Sequence, residues 1–354
     1  MKSSLRAKAQ ERRDRSYGKV LTYSPKVFLP VTNLCRNRCG YCSFRRSPGE
    51  PGEHTMSPDD CRRSLDAAHK VGCFEALLCL GDTPKGSFVK YQRLLQTWGF
   101  DGITEYLAWI SEEALSRGLL AHTNAGILQA GEMAVLRRSN VSMGLMLESS
   151  ADRLCEPGLP HHQAPDKKPA SRLAMIEEAG RQKIPFTSGL LIGIGETASE
   201  RSQSINELAE LQDRFGHLQE LILQPFRPHA GTPMQEQPEA PLDMLLDTIA
   251  EARMMLPESV TIQAPPNLAP GAIEGLIDAG INDFGGISPL TPDFINPGYS
   301  WPHIDTLAER CARAGFELQA RLPLHRGFIG REGWLDDGLR PAVEAAQARL
   351  SVTL

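Results

Sequence analysis

Short apolar segments alternate with longer amphipathic segments along almost the whole chain, and this alternation constrains the fold more than any other feature. About eight strand-then-helix units follow one another, as a (β/α)8 barrel requires. The strand segments are apolar throughout, which is typical of parallel strands that are covered on both faces. The pattern therefore predicts an α/β protein with a TIM-type barrel. A doubly wound open sheet is the alternative, because alternation does not report whether the sheet closes.

Three parts are expected along the chain: a solvated basic N-terminal arm (1–22), the barrel (23–315) and a C-terminal extension packed on the barrel (316–354). The arm is basic and contains serine, as a transit peptide does, but Glu11 and Asp14 interrupt it. No apolar run is long enough to cross a bilayer. The net charge of −5 gives no general attraction to nucleic acid or anionic lipid. We therefore expect a cytoplasmic protein without nucleic-acid or membrane partners.

Three cysteines, Cys35, Cys39 and Cys42, follow the first strand segment in a C-x3-C-x2-C array. In a barrel, chemistry belongs at the carboxyl ends of the strands, where this array lies. Three interpretations compete. A structural zinc site needs a fourth ligand, for which His54 is the nearest candidate, and a basic zinc knuckle would bind nucleic acid. An iron–sulfur cluster held by three thiolates leaves one iron free for another ligand.

With Tyr41 before the last cysteine, the loop resembles that of radical S-adenosylmethionine (SAM) enzymes. The resemblance implies a [4Fe–4S] cluster held by the three cysteines, whose open iron binds the amino and carboxylate groups of SAM. One electron from the cluster then divides SAM into methionine and a 5′-deoxyadenosyl radical. The resemblance also implies a set of cofactor-binding residues: Tyr41, Gly81, Asp82, Glu148, Arg172, Gly193, Ile194 and Gly195.

Each acid or base in that set has a second interpretation. Asp82, which the resemblance assigns to the methionine amino group, could cap a helix. Glu148, assigned to the ribose hydroxyls, could pair with Arg153. Arg172, assigned to the cofactor carboxylate, could be a solvated helix residue. The glycines around Ile194 lack the full G-x-G-x-x-G fingerprint, so a nicotinamide site is only weakly supported.

Longer strings, among them FLPVTNLCRNRCGYCSFRR, QPFRPHAGTPM and GISPLTPDFINPGYSWPHID, resemble the deazaflavin-forming branch of this superfamily. That resemblance implies a synthase of coenzyme F420 biosynthesis that releases ammonia. It would convert 5-amino-5-(4-hydroxybenzyl)-6-(D-ribitylimino)-5,6-dihydrouracil into 7,8-didemethyl-8-hydroxy-5-deazariboflavin. Another radical SAM enzyme, either the tyrosine-condensing partner or a menaquinone-pathway relative, is the alternative. A zinc-binding nucleic-acid or scaffold protein and a nicotinamide-dependent barrel are less favoured.

A polar ribityl chain and a uracil edge need convergent hydrogen-bonding groups. Residues at predicted strand ends and in the last long loop supply candidates for substrate binding: Thr123, Asn124, Gln224, Arg227, Tyr299 and Trp301. His229 is a candidate proton acceptor during loss of ammonia, although a lone histidine in a loop is more often a hydrogen-bond partner. The chain contains a single cysteine loop of this type, so we expect the tyrosine-condensing activity on a separate subunit. The resemblance also implies flavodoxin or ferredoxin as the reductant.

Overall fold

The computed structural model describes residues 2–83 and 87–353. Within these ranges, eight parallel strands close into a barrel, because β1 pairs with both β2 and β8. The strands are β1 Val20–Thr32, β2 Glu75–Leu80, β3 Leu120–Asn124, β4 Asn140–Gly144, β5 Phe186–Ile192, β6 Leu218–Pro225, β7 Thr261–Gln263 and β8 Asp283–Ile287. The predicted barrel is confirmed, and the open sheet is wrong.

Helices surround the barrel, and their ends follow local sequence signals. They are α1 Lys2–Tyr17, α2 Pro58–Lys70, α3 Val89–Thr97, α4 Ile103–Ser116, α5 Ala130–Leu136, α6 Pro169–Arg181, α7 Ala198–Phe215, α8 Leu242–Met255, α9 Ile273–Ala279, α10 Ile304–Arg313 and α11 Arg340–Thr353. Ser57 begins α2 with a capping box that includes Asp60. Thr197 begins α7 in the same way, and Gly216 ends it in the left-handed conformation. None of the described helices is long and apolar enough to cross a membrane.

The segment that was predicted as a solvated arm is a packed helix, so that prediction is wrong. α1 lies against α8 and α9, where Ala9 and Arg13 are fully buried. The Arg13 guanidinium donates to the carbonyl oxygens of Ile277 and Ile281 at 3.0 and 2.6 Å. Because these partners are far away in sequence, no local pattern reports them. The division of the chain into three parts stays a prediction, and β1 already begins at Val20, within residues 1–22.

The C-terminal extension closes the amino-terminal end of the barrel. A ninth strand, β9 Glu317–Ala320, pairs with the start of β1. Beyond it, an apolar cluster joins the extension to the barrel. Phe74, Leu120 and Val141, at the starts of β2, β3 and β4, pack with residues of the extension: Leu322, Leu324, Phe328 and Trp334. The opposite end of the barrel, where the strands terminate, is the end that carries the candidate site.

Candidate active site

The three cysteines line one cavity of about 290 Å³ at the carboxyl end of the barrel. Their loop is held by backbone hydrogen bonds, among them Cys35 N to Arg46 O at 3.2 Å and Gly40 N to Pro160 O at 2.8 Å. Burial raises the pKa of Cys35 to about 11 and that of Cys39 to about 12. These thiols therefore stay protonated at neutral pH until a metal centre replaces the protons.

Gly81, at the end of β2, makes room for the cysteine loop. A Cβ at this position would lie 2.4 Å from the Cβ of Cys35 and 2.7 Å from its sulfur. Real Cβ atoms do not approach other atoms so closely, so any side chain here would displace Cys35. The loop conformation thus depends on glycine at position 81.

Asp82 is buried beside the cysteine loop, while residues 84–86, on which the helix-cap alternative depends, lie outside the described residues. Its carboxylate accepts hydrogen bonds from the Asn37 side chain and from Ile127 N, both at 2.6 Å. Gly126 lies under it with a φ of +70°, and a Cβ there would lie 2.1 Å from the carboxylate. Burial raises the pKa of Asp82, and the nearby Arg172 opposes that shift.

Glu148 has left-handed backbone, with a φ of +65°, which a non-glycine residue rarely adopts. Such strain concentrates at functional sites, where the surrounding structure imposes it. Its carboxylate accepts a hydrogen bond from Lys167 Nζ at 2.5 Å, and both residues line the cavity. The alternative pairing with Arg153 is wrong, because that arginine binds Glu200 instead.

Arg172 is 3% exposed and lines the cavity, so the solvated-helix interpretation is wrong. Its guanidinium donates to the carbonyl oxygens of Met146 at 2.6 Å and Asp166 at 3.1 Å. Tyr41 also lines the cavity, and its hydroxyl is hydrogen-bonded to His161 Nε2 at 3.1 Å. Burial lowers the pKa of His161 to about 3, so this histidine is neutral at physiological pH.

The glycine segment after β5 lies beside the cavity, and Ile194 does not face it. This isoleucine packs in a separate buried cluster with Leu154 and Phe226. The backbone N–H groups of Gly193 and Ile194 both donate to the buried carboxylate of Glu196, at 2.8 and 2.9 Å. Leu191, within β5 itself, lines the cavity. Neither Gly193 nor Gly195 is among the lining residues, and the adenine contact of all three predicted residues stays a prediction.

The structure brings most of the predicted substrate residues together on the same cavity wall: Asn124, Gln224, Arg227, His229 and Trp301. Thr123 is an exception, because its buried hydroxyl donates to Asn140 Oδ1 at 2.7 Å, away from the cavity. Tyr299 packs edge-on against His229, with 6.1 Å between ring centroids, and is not a lining residue.

Several lining residues were missed by the sequence analysis, among them Lys26, Asn37, Lys167 and Gln263. Lys26 had a detectable signal, because it is a charged residue within a strand that is otherwise apolar from Val27 to Val31. Lys167 and Asn37 lie in loops, where sequence gives no indication of which side chains turn inward.

A comparison with models of protein families matches residues 29–208 to the radical SAM superfamily, which is just over half of the chain. The chain belongs to the radical SAM superfamily. Two curated relatives extend the similarity beyond that region. The chain is 44% identical over 334 residues to 7,8-didemethyl-8-hydroxy-5-deazariboflavin synthase of Methanothermobacter thermautotrophicus, covering 94% of this chain and 100% of that protein. It is 46% identical over 336 residues to FO synthase of Streptomyces avermitilis, covering 92% of this chain but 39% of that longer protein.

Solved structures of other proteins share the fold. Methylornithine synthase (PylB) superposes with a TM-score of 0.69 at 17% identity, over 90% of this chain and 89% of that one. The FeFe-hydrogenase maturase HydG from Carboxydothermus hydrogenoformans superposes with a TM-score of 0.71 at 18% identity, over 99% and 82%. At such low identity these similarities support the fold alone.

Radical SAM enzymes use a [4Fe–4S] cluster and SAM, so these are the cofactors of this chain. The donor set fits that assignment, since three thiols face one cavity and the cavity wall adds carboxylates and a buried arginine. His54, the expected fourth ligand of a zinc site, is exposed and does not line the cavity. Because the family's cluster takes the three thiols, the zinc-protein alternatives are wrong.

Proposed function

We propose that the chain is the ring-closing synthase of deazaflavin formation in coenzyme F420 biosynthesis. Its substrates are 5-amino-5-(4-hydroxybenzyl)-6-(D-ribitylimino)-5,6-dihydrouracil and SAM, and its products are 7,8-didemethyl-8-hydroxy-5-deazariboflavin, 5′-deoxyadenosine, methionine and ammonium. The observation that carries the proposal is the identity of 44% to a synthase of that name along its whole length. The cavity supports the proposal, because the three cysteines and the polar side chains that could bind the substrate line the same cavity.

The cofactor half of the cavity is assigned as follows. Cys35, Cys39 and Cys42 would hold the cluster, which when bound would supply the electron for reductive cleavage of SAM. Asp82 accepts from the amino group of SAM, and Arg172 donates to its carboxylate. Both side chains are already fixed by protein hydrogen bonds, so little ordering is needed when the cofactor arrives.

Glu148 is assigned to the ribose hydroxyls, since its carboxylate faces the cavity from the rim of β4. The left-handed backbone conformation of Glu148 fixes the direction in which its side chain leaves the main chain. Lys167 neutralises its charge and fixes its rotamer. Tyr41 is assigned to the cofactor side of the same rim.

The substrate half holds the polar groups. Asn124, Gln224 and Arg227 bind the ribityl chain, while Trp301 packs beside an aromatic ring. His229, which is 8% exposed and lines the cavity, accepts the proton that must leave as ammonia departs. Apolar residues of the same wall exclude water from the reacting carbon.

The partner activity resides on a separate chain, which we infer from the length of the relatives. This chain corresponds to 39% of the Streptomyces protein named FO synthase, whereas it spans all of the Methanothermobacter synthase. The remaining part of the longer protein leaves room for a second activity, which we assign to tyrosine condensation. A cytoplasmic flavodoxin or ferredoxin is the proposed reductant.

The test is an anaerobic incubation of the reconstituted protein with SAM, a reductant and the hydroxybenzyl adduct. Deazaflavin fluorescence and 5′-deoxyadenosine are followed together. Both are expected, and both are expected to vanish in Cys39→Ala but not in the control Cys155→Ala, whose cysteine lies outside the cavity. Formation of 5′-deoxyadenosine without deazaflavin would refute the substrate. Adduct formation from tyrosine by this chain alone would favour the tyrosine-condensing alternative.

A further inference from the structure

Two buried polar side chains of the cavity wall have polar atoms without a hydrogen-bond partner among the described residues. Lys26, on β1, is 8% exposed, and its ammonium makes no hydrogen bond or ion pair with any residue in 2–83 or 87–353. Its ammonium lies 5.2 Å from the centroid of the Trp301 ring and 5.6 Å from that of Phe28. A buried ammonium normally has a carboxylate partner, whereas aromatic faces attract the charge and leave its N–H groups free.

Gln263, at the end of β7, is the second such side chain. It is 5% exposed, and its Oε1 is enclosed without a partner in the described part of the chain. Buried amides are nearly always hydrogen-bonded, so an unpaired one in a cavity wall indicates a place for a ligand.

Two successive glycines of β8 make room for both side chains. A Cβ at Gly285 would lie 1.9 Å from Gln263 Nε2, and a Cβ at Gly286 would lie 2.2 Å from Cδ and 2.5 Å from Nζ of Lys26. Lys26 and Gln263 therefore lie directly against the backbone of the same strand. A larger residue at position 285 would displace Gln263, and one at position 286 would displace Lys26.

We propose that Lys26 and Gln263 bind the pyrimidinedione ring of the substrate, an inference that rests on the proposed function. One edge of this ring presents a carbonyl, an imide N–H and a second carbonyl in succession. The Gln263 amide accepts from the N–H and donates to one carbonyl, while the Lys26 ammonium donates to the other. The unpaired Gln263 Oε1 then gains a donor, and the Lys26 ammonium gains an acceptor.

The other parts of the substrate fit this subsite less well. The phenol has a single oxygen, which would leave one half of the Gln263 amide unpaired. The ribityl chain is polar along its whole length, whereas the neighbouring wall is apolar and aromatic, with Leu77, Ile222 and Phe284. The subsite is also deep, since Lys26 pairs in register with Glu75, the first residue of β2, and the cysteines lie beyond the other end of β1.

The test compares the reconstituted holoenzyme with Lys26→Met and Gln263→Leu. We expect the KM for the hydroxybenzyl adduct to rise about 10-fold to 100-fold in each variant, the cost of one lost hydrogen bond to a buried group. Formation of 5′-deoxyadenosine without the adduct should stay within about twofold, because the cofactor residues are unchanged. Lys70→Met and Gln96→Leu, on exposed helix faces, are the matched controls.

Gly286→Ala provides a variant that keeps both polar groups. Its backbone is not in the left-handed region, so alanine is tolerated, but the new Cβ displaces Lys26. The KM should rise as in Lys26→Met, while Gly271→Ala, where a Cβ meets nothing within 4 Å, should match the wild type. Should Lys26→Met fail to fold, Gly286→Ala carries the same test.

Two fragments identify which ring is bound. A 6-(ribitylamino)pyrimidinedione should compete with the adduct in the wild type and lose about 10-fold to 100-fold of its potency in both variants. Inhibition by 4-methylphenol should not change; selective weakening of that inhibition would overturn the inference. If the wild type forms no deazaflavin, the proposed function fails. If it does and the variants keep the wild-type KM, only this inference fails.

Discussion

The two ends of the barrel both bury charged side chains, but the described residues pair them differently at each end. There, Arg321 donates to both carboxylate oxygens of Asp283, at 2.6 and 2.8 Å, and to Glu220 at 2.6 Å. At the open end, Lys26 has no ion-pair partner among the described residues, and Glu148 lies on strained backbone. Buried charged side chains thus have protein partners at the closed end, whereas at the open end one of them lacks an ion-pair partner in the part of the chain that the structure describes.

The difference separates structural from functional charges. A buried charge that the protein itself satisfies holds elements in register, here the C-terminal extension against β6 and β8. A buried polar group left open costs stability unless a ligand completes it. Substitutions at the closed end should therefore change stability, and those at the open end should change catalysis.

The largest effect is expected for Arg321→Met, which leaves Asp283 and Glu220 buried without their partner. Removing one member of a buried ion pair costs about 3–5 kcal/mol. Urea unfolding followed by circular dichroism measures the loss, and kcat per folded molecule should be unchanged. Arg340→Met, which removes an exposed pair with Asp337, should cost less than about 0.5 kcal/mol. Equal stability of both variants would remove the distinction between the two ends.

Gly81→Ala should have the next largest effect, at the open end. The added Cβ forces Cys35 to move, and overpacking of this kind costs up to about 3 kcal/mol, or about 100-fold in cluster affinity. Iron and sulfide per chain after reconstitution are the measurement. The control is Gly131→Ala in α5, where a Cβ meets nothing within 4 Å. Full cluster content in Gly81→Ala would contradict the assigned loop geometry.

Much of this open end could be predicted because its signals are local. The cysteine spacing and the acids at strand ends are contiguous in sequence, and the barrel puts strand ends together. The side of the sheet on which a residue lies was harder to predict. Asn124 lines the cavity, while its neighbour Thr123 faces Asn140. Successive side chains of a strand point to opposite faces, so a prediction that is wrong by one residue places a side chain on the wrong face.

Contacts between residues that are far apart in sequence could not be predicted from the sequence. The charge pattern of α1 resembles that of a solvated segment, yet Arg13 is buried by carbonyl groups near residue 280. Ile194 is similar, since it packs in a buried cluster with Leu154, Leu191 and Phe226, of which only the last two line the cavity. Such choices depend on which surfaces the fold brings together.

Glu148→Gln should give a smaller effect that is confined to catalysis. The amide keeps the shape and can still accept from Lys167, so the loss of unfolding free energy should be smaller than the about 3–5 kcal/mol expected for Arg321→Met, which removes the hydrogen bonds as well as the charge. Loss of the charge should weaken the ribose contact by about 2 kcal/mol, or about 30-fold in kcat/KM for SAM. Rates of 5′-deoxyadenosine formation at varied SAM concentration measure this, with Glu156→Gln on the exposed surface as control. A variant that unfolds easily but binds SAM normally would place Glu148 with the structural charges.

The smallest effect is expected at His217, a buried polar group outside both ends. Its two ring nitrogens have no partner among the described residues, and it lies between the rings of Phe186 and Phe215. Burial lowers its pKa to about 4, so the unfolded chain binds a proton that the folded chain does not between about pH 6.5 and pH 4. Stability is therefore lost as the pH falls through this window, by about 1.4 kcal/mol at pH 5.5 relative to pH 8. His217→Phe should remove that increment, because any packing cost of the new ring is the same at both pH values and cancels in the difference. Urea unfolding at the two pH values measures it, and an unchanged pH dependence in the variant would mean that His217 is protonated in the folded protein.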